Sequence, residues 1–261
     1  MSAEAVRRHE LRFGVVNWVR AYVVMTRWEL ARLRLVLPTM AIVEVLLGAG
    51  FVLGVGLFFS GPVTTPTALY LATGVPVITL YVVGLVLLPQ VVGQQKVAQV
   101  YDFNQSLPVP RSTGFVAWYS INLVVGVPGM VVSLIVAALR YHLTFQPSPV
   151  LLPAVMLVAL ASTAIGYAMG HASPMPMLTN VLTQVLNFFA LGFSPIAFPS
   201  DRLPAWLALV NHVLPFEAMG TVMRSGLSPG LAGGAPAAYA LLAAWTLGCL
   251  LVAAAAVNRR A

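Results

Sequence analysis

Gln94-Gln-Lys-Val-Ala-Gln-Val-Tyr-Asp-Phe-Asn-Gln-Ser-Leu-Pro-Val-Pro-Arg111 is a polar interruption between two long apolar runs, 68–92 and 113–139. Each flanking run has the roughly 20 residues that a helix rising about 1.5 Å per residue needs to cross a hydrocarbon core of about 30 Å. The interruption is therefore read as a connector between two membrane helices. Val97, Val100 and Tyr101 fall on one face of a helix expected over 94–105, with Gln95, Gln99, Asp102 and Asn104 elsewhere around it. Pro108 and Pro110 stop that helix, because proline lacks the donor and restricts its predecessor. Ser112 or Thr113 is placed to cap the next helix. A short, stiff helix joined to two spans can transmit a push from a docked partner. A plain connector fits the same residues.

Outward from this segment the composition agrees. The 261 residues are 59% hydrophobic and 8% charged, against about 25% charged in soluble domains. A soluble protein with a large core is the competing reading, and apolar runs longer than about 18 residues argue against it. Six spanning helices are expected, near 36–59, 68–92, 113–139, 150–170, 177–198 and 236–257. The alternating segments of about ten residues that a membrane β-barrel requires are absent. The formal charge of +7 is read as lipid and topology signal rather than as a nucleic-acid surface. Arg7, Arg8, Arg12, Arg20, Arg27, Arg32, Arg34, Lys96, Arg111, Arg259 and Arg260 fall on one side, and Arg140, Arg202 and Arg224 on the other. The positive-inside rule puts both termini and the 94–111 segment in the cytoplasm. No cleavable signal peptide is expected.

Residues 1–35 are read as a leader plus an amphipathic helix, and 36–261 as a single transmembrane domain. Arg20, Arg27 and Arg34 form a narrow stripe on a helical wheel, because a seven-residue step drifts only about 20°. Trp18, Trp28, Val19 and Tyr22 surround it, and Glu29 is placed to pair with Arg32 at i,i+3. Such a helix suits the membrane interface better than a span, where three arginines would be costly. Residues 199–235 are read as a hairpin of short helices dipping into the outer leaflet. Leu203, Trp206, Leu207 and Val210 form one apolar face, and Pro204 stands in a first helical turn.

Catalytic patterns are lacking: no GxxxxGK[ST], GxSxG or HExxH occurs, and the seven acidic residues are widely separated. Four scattered histidines and the lone Cys249 make no metal site or disulfide framework. No catalytic residue, bound cofactor or metal is expected. Glu44, about two turns into the first span, could be a proton site, a substrate contact or a structural pair. In the fifth span Thr179, Asn180, Thr183, Gln184, Asn187 and Ser194 form a polar stripe. It either holds helices together or lines a transport path. Gly50 with Gly54, and Gly166 with Gly170, make GxxxG close-packing faces.

The chain as a whole resembles a permease subunit of the ABC-2 type of ATP-binding-cassette exporters. The family's first cytoplasmic loop closes on Thr-Pro-Val-Ser-Arg, and Leu107-Pro108-Val109-Pro110-Arg111 stands there. The family glutamate falls on Asp102, the family glycine on Gln99, and a charged pair is reduced to Lys96. A second match runs through Phe198-Pro199, Leu203-Pro204-Ala205-Trp206-Leu207, Pro215-Phe216-Glu217-Ala218 and Arg224, with Leu214 where asparagine is usual. The resemblance implies an interfacial helix before six spans, a dimer formed largely through the first and fifth, and two separate ATPase subunits carrying ATP and Mg. These would dock on Lys96, Gln99, Asp102, Pro108 and Arg111 and on the N-terminal helix, in the cytoplasmic membrane of a bacterium. Expected cargo is a hydrophobic or amphipathic molecule, drug-like or lipid-like. A self-sufficient ion-coupled carrier and a membrane-embedded assembly factor or enzyme are the alternatives.

Overall fold

Peptide groups in lipid must be satisfied within their own segment, and the apolar runs fold accordingly. The structure, a computed structural model, describes residues 14–57, 64–106, 109–200 and 203–258. In chain order its helices are α1 Val15–Arg32, α2 Val36–Leu57, α3 Thr65–Val97, α4 Val100–Ser106 and α5 Ser112–Tyr141. They continue with α6 Leu151–Ala172, α7 Pro176–Phe193, α8 Ala205–Val213, α9 Pro215–Leu227 and α10 Ala235–Asn258. Among the described residues there is no strand. Six of these helices, α2, α3, α5, α6, α7 and α10, are long and apolar enough to cross a membrane.

Helix α3 forms the axis of the bundle. Of its most apolar stretch 89% is buried, against 22% for α2 and 17% for α7. Helix α2 lies against α3 and α5, α6 lies between α3 and α10, and α1 runs along α5. Two prolines sit inside α3, each without the donor a regular turn needs. One turn after Pro76 the Thr79 hydroxyl donates back to the Pro76 carbonyl at 2.9 Å. Ahead of Pro89 the turns widen into a π segment, Val82–Leu87, where Leu88 N–H donates to the Val83 carbonyl. That widening gives the Pro89 ring room against the preceding turn.

Tight crossings depend on glycine. A Cβ on Gly166 would overlap the Gly84 carbonyl, and one on Gly74 would overlap the Ile196 carbonyl. Gly48 and Gly129 bring α2 against α5 with about 3.0 Å of clearance for a Cβ. The Gly50–Gly54 face expected to pack closely has no neighbour within 4 Å. One register earlier on α2, Gly48 makes the contact instead.

Four boundaries differ from the sequence reading, each with a local cause. Helix α1 stops at Arg32 and residues 33–35 form a turn, so Arg34 leaves the arginine stripe. A helix running through would need Pro38 to donate to the Arg34 carbonyl; restarting at Val36 puts Pro38 in a first turn, where it is tolerated. Helix α3 continues to Val97, so no single helix covers 94–105; α4 is separate. Helix α7 ends at Phe193, leaving Ser194 extended (φ −106°, ψ 139°) before Pro195. Pro204 precedes α8 rather than entering it, its carbonyl accepting from Leu207 and Ala208 N–H at 2.9 and 3.0 Å.

Alternation of direction puts the 97–112 connector, the α6–α7 turn and the end of α10 at one end of the bundle, beside α1. Val257 of α10 and Glu29 of α1 border the same cavity there. This is the near end. The α8–α9 hairpin lies at the far end.

Candidate functional site

Gln94, Gln95 and Lys96 close α3, and steps of about 100° send them in three directions. Gln94 is exposed. Gln95 is buried, and its Nε2 donates to Glu29 Oε1 at 3.3 Å. Glu29, only 3% exposed, also takes Arg32 Nη2 at 2.5 Å. The buried carboxylate thus has a guanidinium and an amide, the condition under which burying a charge is tolerated. Lys96 turns the other way. Its Nζ donates to the carbonyls of Gly170 and Ser173 at 2.6 and 2.7 Å, at the C-terminal end of α6. Helix-terminal carbonyls lack intrahelical donors and carry partial negative charge, so an ammonium satisfies both needs. The sequence suggests Lys96 as a contact for a docked protein; its ammonium is instead engaged inside the chain, as a strut from α3 to α6.

Gln99 makes the corner between α3 and α4. Its φ is +59°, the left-handed region. Ala98 N–H donates to the Gln94 carbonyl at 3.0 Å and Gln99 N–H to the Lys96 carbonyl at 3.4 Å. This is how a helix commonly ends when the residue past its cap is left-handed, a place usually taken by glycine. The position where the family resemblance expects glycine keeps the glycine conformation with a glutamine in it. The corner folds α4 back, so that Tyr101 is buried with its ring 5.5 Å from that of His171 and 5.2 Å from Lys96 Nζ. His171 in turn stacks on Tyr167 at 3.9 Å. Between these groups lies a cavity of about 180 Å³ bordered by Glu29, Gln95, Tyr101, Asn104, Arg111 and His171. Sequence reasoning left Gln95 and Tyr101 without a role and took His171 as scattered. The i,i+4 spacing of Tyr167 and His171 at a helix end was the available signal.

Around this cavity Val97, Gln99, Asp102, Phe103 and Arg111 remain exposed. Pro108 lies outside the described residues, as do Arg7, Arg8, Arg12, Arg202, Arg259 and Arg260. Neither expected cap forms. The Thr113 hydroxyl donates to the Pro110 carbonyl at 2.6 Å, and Ser112 Oγ accepts from Trp18 Nε1 at 2.9 Å. Trp18 stacks on Tyr22, whose hydroxyl shares a hydrogen bond with Ser120 at 2.8 Å. Those contacts fix α1 along α5. Arg20, Arg27 and Trp28 are exposed.

Deep in the bundle, Glu44 is 2% exposed and its Oε2 has no hydrogen-bond partner among the described residues. The polar stripe of α7 divides. Thr179 and Thr183 are buried, Asn180 and Gln184 are exposed, and Asn187 Oδ1 accepts from the Tyr81 hydroxyl at 3.3 Å. Ser194, past the helix end, is buried apart from them. A staple the sequence reading missed is Asn122, whose Nδ2 donates to Ser162 Oγ and Thr163 Oγ1 at 3.1 and 2.9 Å, tying α5 to α6.

At the far end Leu207 and Asn211 face inward from α8, while Trp206 is exposed and Leu203 half-buried. The expected single apolar face is therefore split between core and surface. Pro215 opens α9, and Glu217 in its first turn stands 3.2 Å from His212 Nδ1. Arg224, 2% exposed, donates Nη2 to the carbonyls of Pro195 (3.3 Å) and Ile196, and its guanidinium lies 3.6 Å from the centroid of the Tyr70 ring. It thereby ties α9 to the chain leaving α7 and to the start of α3.

The arrangement is a six-span bundle with a braced corner at one end, a helical hairpin at the other and no catalytic constellation among the described residues. The model of the ABC-2 type transporter family matches residues 99–227. Residues 99–227 carry the membrane domain of that family. The match begins at the left-handed corner and ends with α9. No curated protein gives a match. The chain is a multi-pass membrane permease component of the ABC type, and the domain matched is not itself an ATPase.

Proposed function

We propose that this chain is the permease subunit of an ATP-driven exporter in the cytoplasmic membrane of a bacterium, with the near end facing the cytoplasm. Two ATPase subunits carrying ATP and Mg dock on the near end. A second permease copy or a related chain completes the dimer through the faces of α2 and α7, the least buried of the spans between them. The observation that carries this reading is the braced corner. Asp102 and Phe103 are exposed on α4, with Val97 and Arg111 exposed on the segments flanking it. The inner side of α4 meets α6 through Tyr101 and lies close to Glu29 of α1, while Lys96 at the end of α3 bonds to the end of α6.

A push on α4 reaches α3 and α6 without an intervening flexible linker. Aromatic residues at the near end and exposed arginines on α1 suit an interfacial position. Mostly apolar spans favour a hydrophobic or amphipathic cargo, with Asn180, Gln184 and Asn187 on its path or at the dimer seam.

Asp102→Ala with Arg111→Ala is expected to lower transport and substrate-stimulated ATP hydrolysis severalfold while the permease still folds. Unchanged hydrolysis and transport would remove the docking assignment. A second reading rests on Glu44, a buried carboxyl with an unpartnered oxygen: an ion-coupled carrier. It requires transport in proteoliposomes without any ATPase, abolished by Glu44→Gln.

A further inference from the structure

Parts of three spans enclose one apolar groove at the near end. Its walls are Phe115 in the first turn of α5, Tyr167 toward the end of α6, and Leu250, Ala253, Ala254 and Val257 in the last turns of α10. Its volume is about 380 Å³, within the range of roughly 300–1,000 Å³ typical of ligand sites. The stretch from Leu250 to Val257 runs about 10 Å along the helix axis. Ala253 and Ala254 leave room beside α10. The rings of Phe115 and Tyr167 pack edge to face with centroids 5.5 Å apart, which makes their part of the wall stiff.

At the head of α5 the groove meets Arg111 and Ser112, both of which border it and are exposed. A guanidinium only donates, and it carries five N–H groups. Ser112 Oγ accepts from Trp18 Nε1 at 2.9 Å, which leaves its own proton to donate. Among the described residues no carboxylate borders the groove. Glu29, on the adjoining polar cavity that Arg111 also borders, is taken by Arg32 and Gln95. Other apolar grooves differ on this point. Those between α7 and α10 and between α1, α2 and α5 have no cation in their walls among the described residues. Trp18, bonded to Ser112 and stacked on Tyr22, supplies the aromatic pair expected at headgroup depth.

Donors at the mouth and an apolar groove running from it match an anionic amphiphile. We propose that the head of α5 and the ends of α6 and α10 hold a phospholipid with a net negative headgroup. Arg111 and Ser112 donate to its phosphate, and one acyl chain lies in the groove along α10. A choline head also brings a phosphate, but its cation is set beside Arg111 with no carboxylate to meet it. An uncharged apolar molecule leaves the donors at the mouth unused. The inference rests on the reading above for the near end lying at the membrane interface, and it gives Arg111 a lipid contact beside the docking contact proposed there.

The test uses the full chain alone, purified into neutral micelles doped with equimolar phosphatidylglycerol and phosphatidylcholine of the same acyl length, with bound lipid read by native mass spectrometry. Phosphatidylglycerol should be retained about tenfold over phosphatidylcholine, the factor expected from one charge-assisted hydrogen bond. Arg111→Gln should bring the two lipids close to parity. Arg20→Gln removes an equal, exposed charge from α1 and should leave the preference intact. Ala254→Trp, at an exposed position in the wall of the groove, should lower retention of both lipids severalfold. Equal retention of the two lipids by the unaltered protein overturns the proposal. So does an equal loss of preference in Arg111→Gln and Arg20→Gln, which would mean attraction to surface charge in general. Retention unchanged by Ala254→Trp would place the acyl chain elsewhere and overturn it too. Since no ATPase or ATP is present, failure of the exporter reading would appear separately, as a missing ATPase partner beside an intact headgroup preference.

Discussion

At the near end Glu29 meets Arg32 and Gln95, and Lys96 meets two helix-terminal carbonyls. At the far end Arg224 is held by backbone carbonyls and a tyrosine ring, while Asn211 Oδ1 and Glu217 Oε2 are enclosed without an aligned donor. Both ends bury charge, and they differ in what the buried charges join. Side-chain and backbone pairing at the near end joins α1, α3, α4 and α6 into one braced unit, as a force-bearing corner requires. The far end depends on one arginine, which ties α9 to the chain leaving α7 and to the start of α3. Both ends also enclose polar atoms without an aligned partner, among them Arg32 Nε and Asn104 Oδ1 at the near end and Asn211 Oδ1 at the far end, so what separates the ends is which helices the paired charges join.

The comparison breaks most readily at Arg224. Arg224→Met removes the donor to the Pro195 and Ile196 carbonyls and the cation over Tyr70. A loss of about 3 kcal/mol is expected for charge-assisted bonds at a buried site. The thermal unfolding midpoint in detergent should fall clearly, and Arg224→Lys should recover part of it, since lysine donates but lacks the planar fork that stacks on tyrosine. A methionine variant that unfolds at the original temperature would show that the hairpin is held by apolar packing alone.

Lys96→Met tests the near end with a smaller expected effect on stability, about 2 kcal/mol for two helix-terminal bonds. The sharper readout is functional. If Lys96 is a strut, ATP hydrolysis by the assembled complex continues while transport per ATP falls severalfold. Equal transport per ATP would reduce Lys96 to a local cap on α6.

The six spans were legible because lipid leaves an apolar run of such length one backbone solution, and the absence of catalytic motifs was legible because those motifs are local. The braced corner was not. Gln94 to Gln105 are mostly tolerable helix residues, so the pattern suggested one helix, while the break at Gln99 is fixed by Tyr101 reaching His171 some 70 residues away in sequence. Lys96 was seen as a charge in a loop because its carbonyl partners lie at the end of another span. On α7 the polar stripe was visible, but its division into buried threonines and exposed amides depends on which neighbours α3 supplies. Arg224 was read only as an outer-side arginine closing the second family match, because nothing local distinguishes a buried latch from a surface arginine.

The smallest expected effect concerns Gln99 and sharpens the near-end side of the comparison. A non-glycine residue in the left-handed region carries strain of about 1–2 kcal/mol. Glycine removes that strain but gains freedom in the unfolded chain, which offsets about 0.5–1 kcal/mol. Gln99→Gly should therefore stabilise the protein by about 0.5 kcal/mol, with Gln99→Asn near neutral, since asparagine tolerates the same region. Gln99→Val should cost more than either, because a β-branched side chain is a genuine outlier there. The order Gly, Asn, Gln, Val in unfolding midpoint is the measurement. A valine variant as stable as the glycine one would mean that the corner can open without loss, and a corner that opens freely could not pass a push from α4 to α6.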